Sequence, residues 1–218
     1  MQLHFVRKIL SLFYPVKVRT GSSDVNPLLE LFYYQGRWQL ATEDALYSDG
    51  SRYRPLRLAF GAIKDRLPAA ERILVLGTGL GSAVNVLDSM GFQPEITLVE
   101  LDGVVLDWAK EVLPLRLRPR LKFVHANADV FVKKSTDRFD LIVIDIFNSR
   151  DVPGFVMQQD FLLRCKNLLE KNGCLVLNYI VHSKEAWEAS LLIFGELFPD
   201  HKIHELGVNR IIVAELFA

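Results

Sequence analysis

The sequence predicts a doubly wound α/β fold: a mostly parallel sheet with an antiparallel C-terminal hairpin at one edge, preceded by a small N-terminal β appendage. Three observations carry this. From Ile73 onward, apolar runs of strand length alternate with helical patterns, the order that produces helix-covered parallel sheets. Ile73-Leu74-Val75-Leu76 is apolar without interruption, as in a strand buried on both faces, and runs directly into Gly77, Gly79 and Gly81. The last two strand-like segments, 202–206 and 211–216, are separated only by Gly207-Val208-Asn209, so they read as a hairpin and one edge strand should oppose the rest.

With 218 residues the chain can build one sizeable core and a small appendage. The expected division is an N-terminal helix and β appendage over 1–50 and a nucleotide-type domain over 51–218. Lys plus Arg and Asp plus Glu both total 26, so the net charge is zero and no broad basic surface for nucleic acid is implied. The local cluster Arg116, Arg118, Arg120 and Lys122 reads as a solvated loop. Cys165 and Cys174 fall in a predicted helix and a predicted strand, which points to buried thiols in a reducing, cytoplasmic compartment. Neither a disulfide framework nor metal-ligand spacing is visible, and the five histidines suggest no metal site.

Taken in order, residues 3–14 are apolar but broken by Arg7 and Lys8. The run is too short to span a bilayer, and its internal charges argue against a cleavable signal. It reads first as an amphipathic helix packed on the body or on a second subunit, and second as a membrane-surface helix. Segments 16–19 and 28–34 read as strands around the turn-rich stretch Thr20 to Asp24, and Gln35-Gly36 turns the chain into a third, Arg37-Trp38-Gln39-Leu40. A helix over 53–67, following Pro55, places Leu56, Ala59 and Ile63 on one side. The glycine turn then leads a helix over 82–90, closed by Gly91, and a strand over 95–99 that ends in Glu100. Beyond it come a helix over 104–113, a strand over 121–124, a strand over 139–145, a helix over 157–170, a strand over 174–180 and a helix over 184–197.

In open α/β sheets the ligand lies over the carboxyl ends of the strands, where strand order reverses. Read off this chain, those ends are Gly77 to Gly81, Glu100 with Asp102, His125-Ala126-Asn127-Ala128, and Asp145 through Asn148. Polar residues must end buried strands in any case, but four such groups in succession favour a site. Glycines at this spacing let a ligand approach with no Cβ in the way, while the following helix starts with its N–H groups facing that ligand. An acid about 20 residues past the turn can accept both hydroxyls of a ribose. The expected ligand is therefore a nucleoside. A dinucleotide fingerprint prefers Gly or Ala at its sixth position, where this chain has Ser82.

The run Gly77-Thr78-Gly79-Leu80-Gly81 resembles instead the first motif of the S-adenosylmethionine-dependent transferases, whose Rossmann-like methyltransferase sheet becomes the expected fold. From about Leu28 onward the chain resembles the polyamine aminopropyltransferases typified by spermidine synthase. Gln39-Leu40-Ala41-Thr42-Glu43-Asp44 looks like that family's glutamine-led segment, Leu98-Val99-Glu100-Leu101-Asp102 like its ribose-binding strand end, and Asp140-Leu141-Ile142-Val143-Ile144-Asp145 like the strand with its catalytic aspartate. The resemblance implies S-adenosylmethionine or its decarboxylated form as donor. It implies Gln39, Gly77, Gly79, Gly81, Glu100, Asp102, Asn127 and Ala128 as donor-binding residues. It further implies Asp145 as the group beside the reacting atom, and a small acceptor, in this family an amine. A homodimer through the N-terminal helix and hairpin edges is compatible with the sequence.

Three departures all replace an acid by a neutral group. Leu80 stands at the family's aspartate in the glycine turn, Asn148-Ser149 where the catalytic strand end continues to a second aspartate and a proline, and Asn127 where an acid receives the adenine amino group. An amide oxygen can accept that last hydrogen bond too. Glu43, Asp44, Asp49 or Asp151 compensates if it points inward. Such a pocket suits a dication less well. Methyl transfer, which often needs no dedicated base, is thus an alternative expectation, with Leu80 and Phe147 lining the pocket and Tyr33, Tyr34, Trp38 and Tyr47 as its aromatic lid. A nucleoside-binding protein without turnover is the third.

Overall fold

A computed structural model describes residues 4–43 and 45–216. It begins with a short helix, α1 (Phe5–Leu10), none of whose residues is buried. The expectation of a helix packed along the body is therefore corrected: only Ser11, just beyond it, is buried, and its carbonyl receives the Gln35 N–H. Leu3 lies outside the described residues. Four antiparallel strands follow: β1 (Val16–Gly21), β2 (Leu29–Tyr34), β3 (Arg37–Ala41) and β4 (Leu46–Ser48), paired in that order. The three-residue β4, absent from the sequence expectation, pairs Ser48 with Leu40 across an irregular register. Its importance lies in what Ser48 touches next.

The larger sheet takes α2 (Arg54–Ala62), β5 (Arg72–Leu76), α3 (Ser82–Ser89), β6 (Glu95–Glu100), α4 (Gly103–Val112), β7 (Leu121–His125), α5 (Ala128–Lys134), β8 (Phe139–Ile144), α6 (Gln159–Leu168), β9 (Leu169–Ile180), α7 (Lys184–Leu197), β10 (His201–Leu206) and β11 (Asn209–Glu215). Its order is β10-β11-β9-β8-β5-β6-β7. The strands from β9 to β7 pair in parallel, while β11 opposes both β9 and β10, so β11 is the one reversed strand that the hairpin spacing predicts. Order reverses between β5 and β8, and their carboxyl ends form the switch point.

Alternation of side chains along each strand explains why the central runs carry no polar residue. Ile73 and Val75 face one layer with Phe60 of α2 and Leu87 of α3; Leu74 and Leu76 face the other with Phe161 of α6 and Phe194 of α7. Each such side chain contributes roughly 1.5–3 kcal/mol by burial. Helix α7 has the predicted bounds because Ser183 caps it, its hydroxyl accepting the Ala186 N–H. Helix α6 stops sooner than expected. Leu169 already pairs with Phe139 and begins β9. Helix α5 was not expected from the sequence: Asn127 caps it immediately after β7.

The small sheet is fastened to the large one by a third apolar cluster, in which Leu29, Leu31 and Leu40 meet Leu80, Val105 and Trp108. At its edge Arg19 makes two bonds to Glu111, at 3.1 and 2.8 Å. Leu80 therefore does not line a pocket; it is a core residue, 2% exposed.

Candidate functional site at the switch point

Gly77 ends β5 with φ +88°, and a Cβ there would lie 2.2 Å from the Asp145 carbonyl oxygen, so the two central strand ends touch backbone to backbone. Gly79 (φ +51°) is likewise pressed against Ser48, whose Oγ would be 2.9 Å from an added Cβ. The turn's amides are all engaged. Thr78 and Gly79 each donate to Glu100 Oε2 at 3.0 Å, Leu80 donates to Ser48 Oγ at 2.9 Å, and Gly81 donates to the Thr78 carbonyl at 2.9 Å. The turn's own amides are thus held within the protein, whereas Ser82 and Ala83, the first residues of α3, line the cavity over these strand ends, and the expectation of helix N–H groups facing a ligand concerns those residues. A pyrophosphate would find the turn's donors taken and a carboxylate beside it, which argues against a dinucleotide on electrostatic grounds.

Glu100 Oε1 also accepts the Asp102 N–H at 3.1 Å. Burial pushes the Glu100 carboxyl upward and outweighs these backbone hydrogen bonds, which favour its charged form. Glu100→Ala leaves three amides without an acceptor and is expected to lower the unfolding free energy by about 2 kcal/mol, measured by urea denaturation.

Asp145 follows β8 on the other side of the switch point. Its Oδ1 accepts the Asn178 amide at 2.8 Å and the Tyr53 hydroxyl at 3.3 Å, and Asn209 in turn donates to Asn178 Oδ1 at 2.8 Å. Desolvation in this part-buried position pushes the Asp145 carboxyl up to about 6, against the stabilising pull of Asn178 and Tyr53. Tyr53 is pushed well above the usual phenol range, by burial first and by the Asp145 charge second.

A cavity of about 780 Å³ opens over these strand ends, large enough for a nucleoside and a second small molecule. From β7 to β9 its wall passes through Asn127, Glu100, Gly77, Asp145 and Ile180. Of the predicted site residues it is lined by Gly77, Gly79, Glu100, Asn127, Ala128 and Asp145, and not by Gln39, Gly81 or Asp102. Each exception has a local cause. Gln39 donates to Asp49 at 2.8 Å. Gly81 faces Leu113, whose Cδ1 would be 2.8 Å from an added Cβ. Asp102 caps α4 through the Val104 and Val105 N–H groups, and its other oxygen takes the Ser23 hydroxyl at 2.5 Å and the Asn26 amide at 2.7 Å. It clamps the N-terminal sheet to the domain. Asn127 Oδ1 likewise accepts the Asp129 and Val130 N–H groups, so the oxygen expected to receive an adenine amino group is engaged and the amide NH2 is left.

Of the proposed lid, Tyr47 lines the cavity; Tyr33, Tyr34 and Trp38 do not, and Tyr33 packs on Trp38 with ring centroids 4.8 Å apart. Phe147 lines it as well. The acids expected to compensate stand elsewhere: Glu43 is exposed, Asp49 is paired with Arg37, and Asp151 is beside His182. Asp44 lies outside the described residues. Sequence reasoning missed Tyr53, Asn178 and Ser48. Asn178 carried a signal, since a lone amide inside the apolar run Leu175 to Leu177 must find a buried partner.

Residues 61–191, more than half of the chain, match the spermine/spermidine synthase domain. The chain belongs to that family. Among its relatives in the spermine/spermidine synthase family, the polyamine aminopropyltransferase of Vibrio vulnificus is 31% identical over 155 residues, covering 68% of this chain and 52% of that protein. The chain spans about half the length of the curated relatives it matches. Its fold is that of a spermidine synthase solved with the transition-state analogue AdoDATO, with a TM-score of 0.71 at 19% identity over 91% of this chain and 73% of that one. Human methyltransferase-like protein 13, solved with SAH, shares the fold at a TM-score of 0.61 and 20% identity, covering 76% of this chain and 81% of that one. The sheet is thus the Rossmann-like methyltransferase sheet of this family, with the four-stranded sheet added before it. No helix among the described residues is long and apolar enough to cross a membrane.

Proposed function

We propose that this chain transfers the aminopropyl group of decarboxylated S-adenosylmethionine to a small amine. The observation that carries the reading is Asp145: a part-buried carboxylate at the switch point, on the cavity wall, raised to about 6 and held on one oxygen by Asn178 and Tyr53. A base poised in that range takes a proton efficiently at neutral pH. The amine's lone pair forms a C–N bond to the carbon beside the sulfonium. The C–S bond breaks with its electron pair going to sulfur, and the new ammonium gives its proton to Asp145. The products are the aminopropylated amine and methylthioadenosine.

The donor lies over the ends of β5, β6 and β7 in this reading. Gly77 and Gly79 admit its tail, Asn127 and Ala128 contact its base, and Glu100 holds the ribose. Glu100, on the cavity wall, accepts a ribose hydroxyl in this reading beside the backbone amides it already holds. With its NH2 left over, Asn127 donates to a ring nitrogen of adenine. Gln39, Gly81 and Asp102 act indirectly, by fixing Asp49, the helix start and the N-terminal sheet. The enzyme works in the cytoplasm, as its two buried thiols support. The exposed Phe5, Ile9 and Phe13 favour association with a second copy.

Methyl transfer from intact S-adenosylmethionine is the second reading, favoured by the apolar Phe147 on the cavity wall, since that transfer needs in-line positioning and no dedicated base. One experiment separates the two. The protein is incubated with each donor and an amine panel, and products are resolved by chromatography. Methylthioadenosine from the decarboxylated donor supports the first reading; S-adenosylhomocysteine from the intact donor with no methylthioadenosine replaces it by the second.

A further inference from the structure

The reversed strand β11 reaches the site through its first residue. Asn209 pairs with Ile180 across the β9–β11 ladder and Ile211 with Asn178, so the two asparagines are diagonal neighbours on one face of the sheet, a spacing at which side chains still meet. The turn before Asn209 is held in place: the Val208 carbonyl accepts the Val181 N–H at 2.9 Å, and Val208 lies on the cavity wall. Asn178 is 1% exposed, so both ends of its amide need partners within the protein. Its NH2 donates to Asp145 Oδ1 at 2.8 Å and to the Tyr53 hydroxyl at 3.3 Å, and its oxygen accepts the Asn209 NH2 at 2.8 Å.

We propose that Asn209 of the C-terminal hairpin is a positioning residue for Asp145, acting through Asn178. The inference rests on the reading of Asp145 as the group that takes the amine's proton. An ionised carboxylate offers acceptor sites alone, so Asn178 serves it with the NH2 end and must place its oxygen elsewhere. Asn209 supplies the donor for that oxygen. With the amide held at both ends, Asp145 Oδ1 is fixed, and with it the plane of the carboxylate and the direction of its second oxygen. Without Asn209 the Asn178 oxygen is buried and lacks this donor. Each turn of the amide in search of another takes the NH2 away from the carboxylate, which weakens a bond that favours the charged form and loosens the carboxylate's aim. Tyr53 is the ionisable side chain bonded to Asp145, while Glu100, Tyr47, Arg150 and His182 line the same cavity. Arg210, beside Asn209, donates to the Gly207 and Asn209 carbonyls and lies 3.4 Å from Glu205. Replacing Asn209 by alanine removes none of these charges, so a change at Asp145 reports on the amide.

The test reads Asp145 directly. The full chain is labelled with 13C at the aspartate carboxyls, the Asp145 signal is assigned by its loss in Asp145→Asn, and its titration is followed by NMR. The wild-type midpoint near 6 is expected to rise by about half a pH unit or more in Asn209→Ala, and by no further amount when Asn209→Ala is added to Asn178→Ala. Should the alanine variant fail to fold, Asn209→Val, which suits the start of a strand and equally lacks the donor, is read in the same way. An unchanged midpoint, or an equal rise in the Asn178→Ala background, overturns the inference and leaves aminopropyl transfer intact. Turnover supplies the second arm: kcat of Asn209→Ala with decarboxylated donor and the amine panel is expected to fall about tenfold at unchanged KM. A raised midpoint with wild-type kcat overturns the positioning role. If the wild type releases methylthioadenosine with no amine of the panel, the reading beneath falls, whatever the midpoint shows.

Discussion

Replacing Asp145 by asparagine is expected to lower turnover about a thousandfold while raising stability at neutral pH. The two effects have one cause. The cavity holds this carboxylate in a place where its charged form is poorly solvated, which lifts its ionisation from the ordinary 3.8 to about 6. Between those values the folded state binds the proton and the unfolded state does not, so stability falls as pH rises through this window. Above about 6 the full deficit is present, about 3 kcal/mol for a rise of this size. Asparagine removes the charge yet keeps an oxygen for the Asn178 amide and the Tyr53 hydroxyl, so the variant is expected to gain about 2 kcal/mol in urea unfolding at pH 7.5. At pH 3 the gain should vanish, since the wild-type carboxyl is then protonated in both states.

Activity carries the complementary signature. The ionised form takes the proton, so kcat/KM of the wild type should lose a further tenfold for each pH unit below about 6, beyond the loss that protonation of the amine itself causes, and Asp145→Asn should lack that additional loss. Donor affinity should change by no more than about tenfold, the effect of one lost charge opposite the sulfonium. A variant that keeps wild-type turnover reduces Asp145 to a strand end. A variant destabilised at pH 7.5 shows that its hydrogen bonds outweigh its desolvation.

What the sequence revealed and what it concealed follow from the range of the interactions. The β5–α3–β6 unit was legible because its information is local: an unbroken apolar run, glycines at the turn, and an acid at the next strand end. Glu100 and Asp145 were legible as strand ends for the same reason, and the cavity does open over both. Tyr53 was not, because it meets Asp145 across 92 positions and nothing beside it marks the contact. The opposite error has the same origin. Gln39 and Asp102 sit where a ligand-binding residue would, but Asp49, Ser23 and Asn26 reach them first through folding of the N-terminal sheet. Helix α5 was missed because Ala128 to Lys134 is too short to display a helical period; the Asn127 cap establishes it.

Gly77→Ala is expected to be the most damaging single methyl in the chain. Two costs combine at that position. The residue has φ +88°, a region that an L side chain enters at about 1–2 kcal/mol, and the new Cβ meets only main chain: the Asp145 carbonyl oxygen at 2.2 Å, the Asp145 carbonyl carbon at 2.7 Å and Ile146 Cα at 3.2 Å. A flexible side chain would swing aside. Here nothing can, because the Asp145 N–H is bonded to the Leu76 carbonyl at 2.9 Å and the Gly77 N–H to the Val99 carbonyl at 3.0 Å, fixing the opposed strand ends on both flanks. Relief therefore requires β5 and β8 to part where the sheet changes direction, which also withdraws Asp145 from Tyr53 and Asn178. The expected loss is about 3–5 kcal/mol, a large share of a domain's stability, with turnover lost in whatever protein remains folded. Gly36→Ala supplies the control. Its φ is +80°, but nothing lies within 4 Å of the added carbon, so it carries the conformational cost alone. Urea unfolding should give about 1–2 kcal/mol for Gly36→Ala and clearly more for Gly77→Ala. Equal losses would mean that the strand ends at the switch point are free to separate, and that Gly77 serves the backbone's turn rather than the closure of the site.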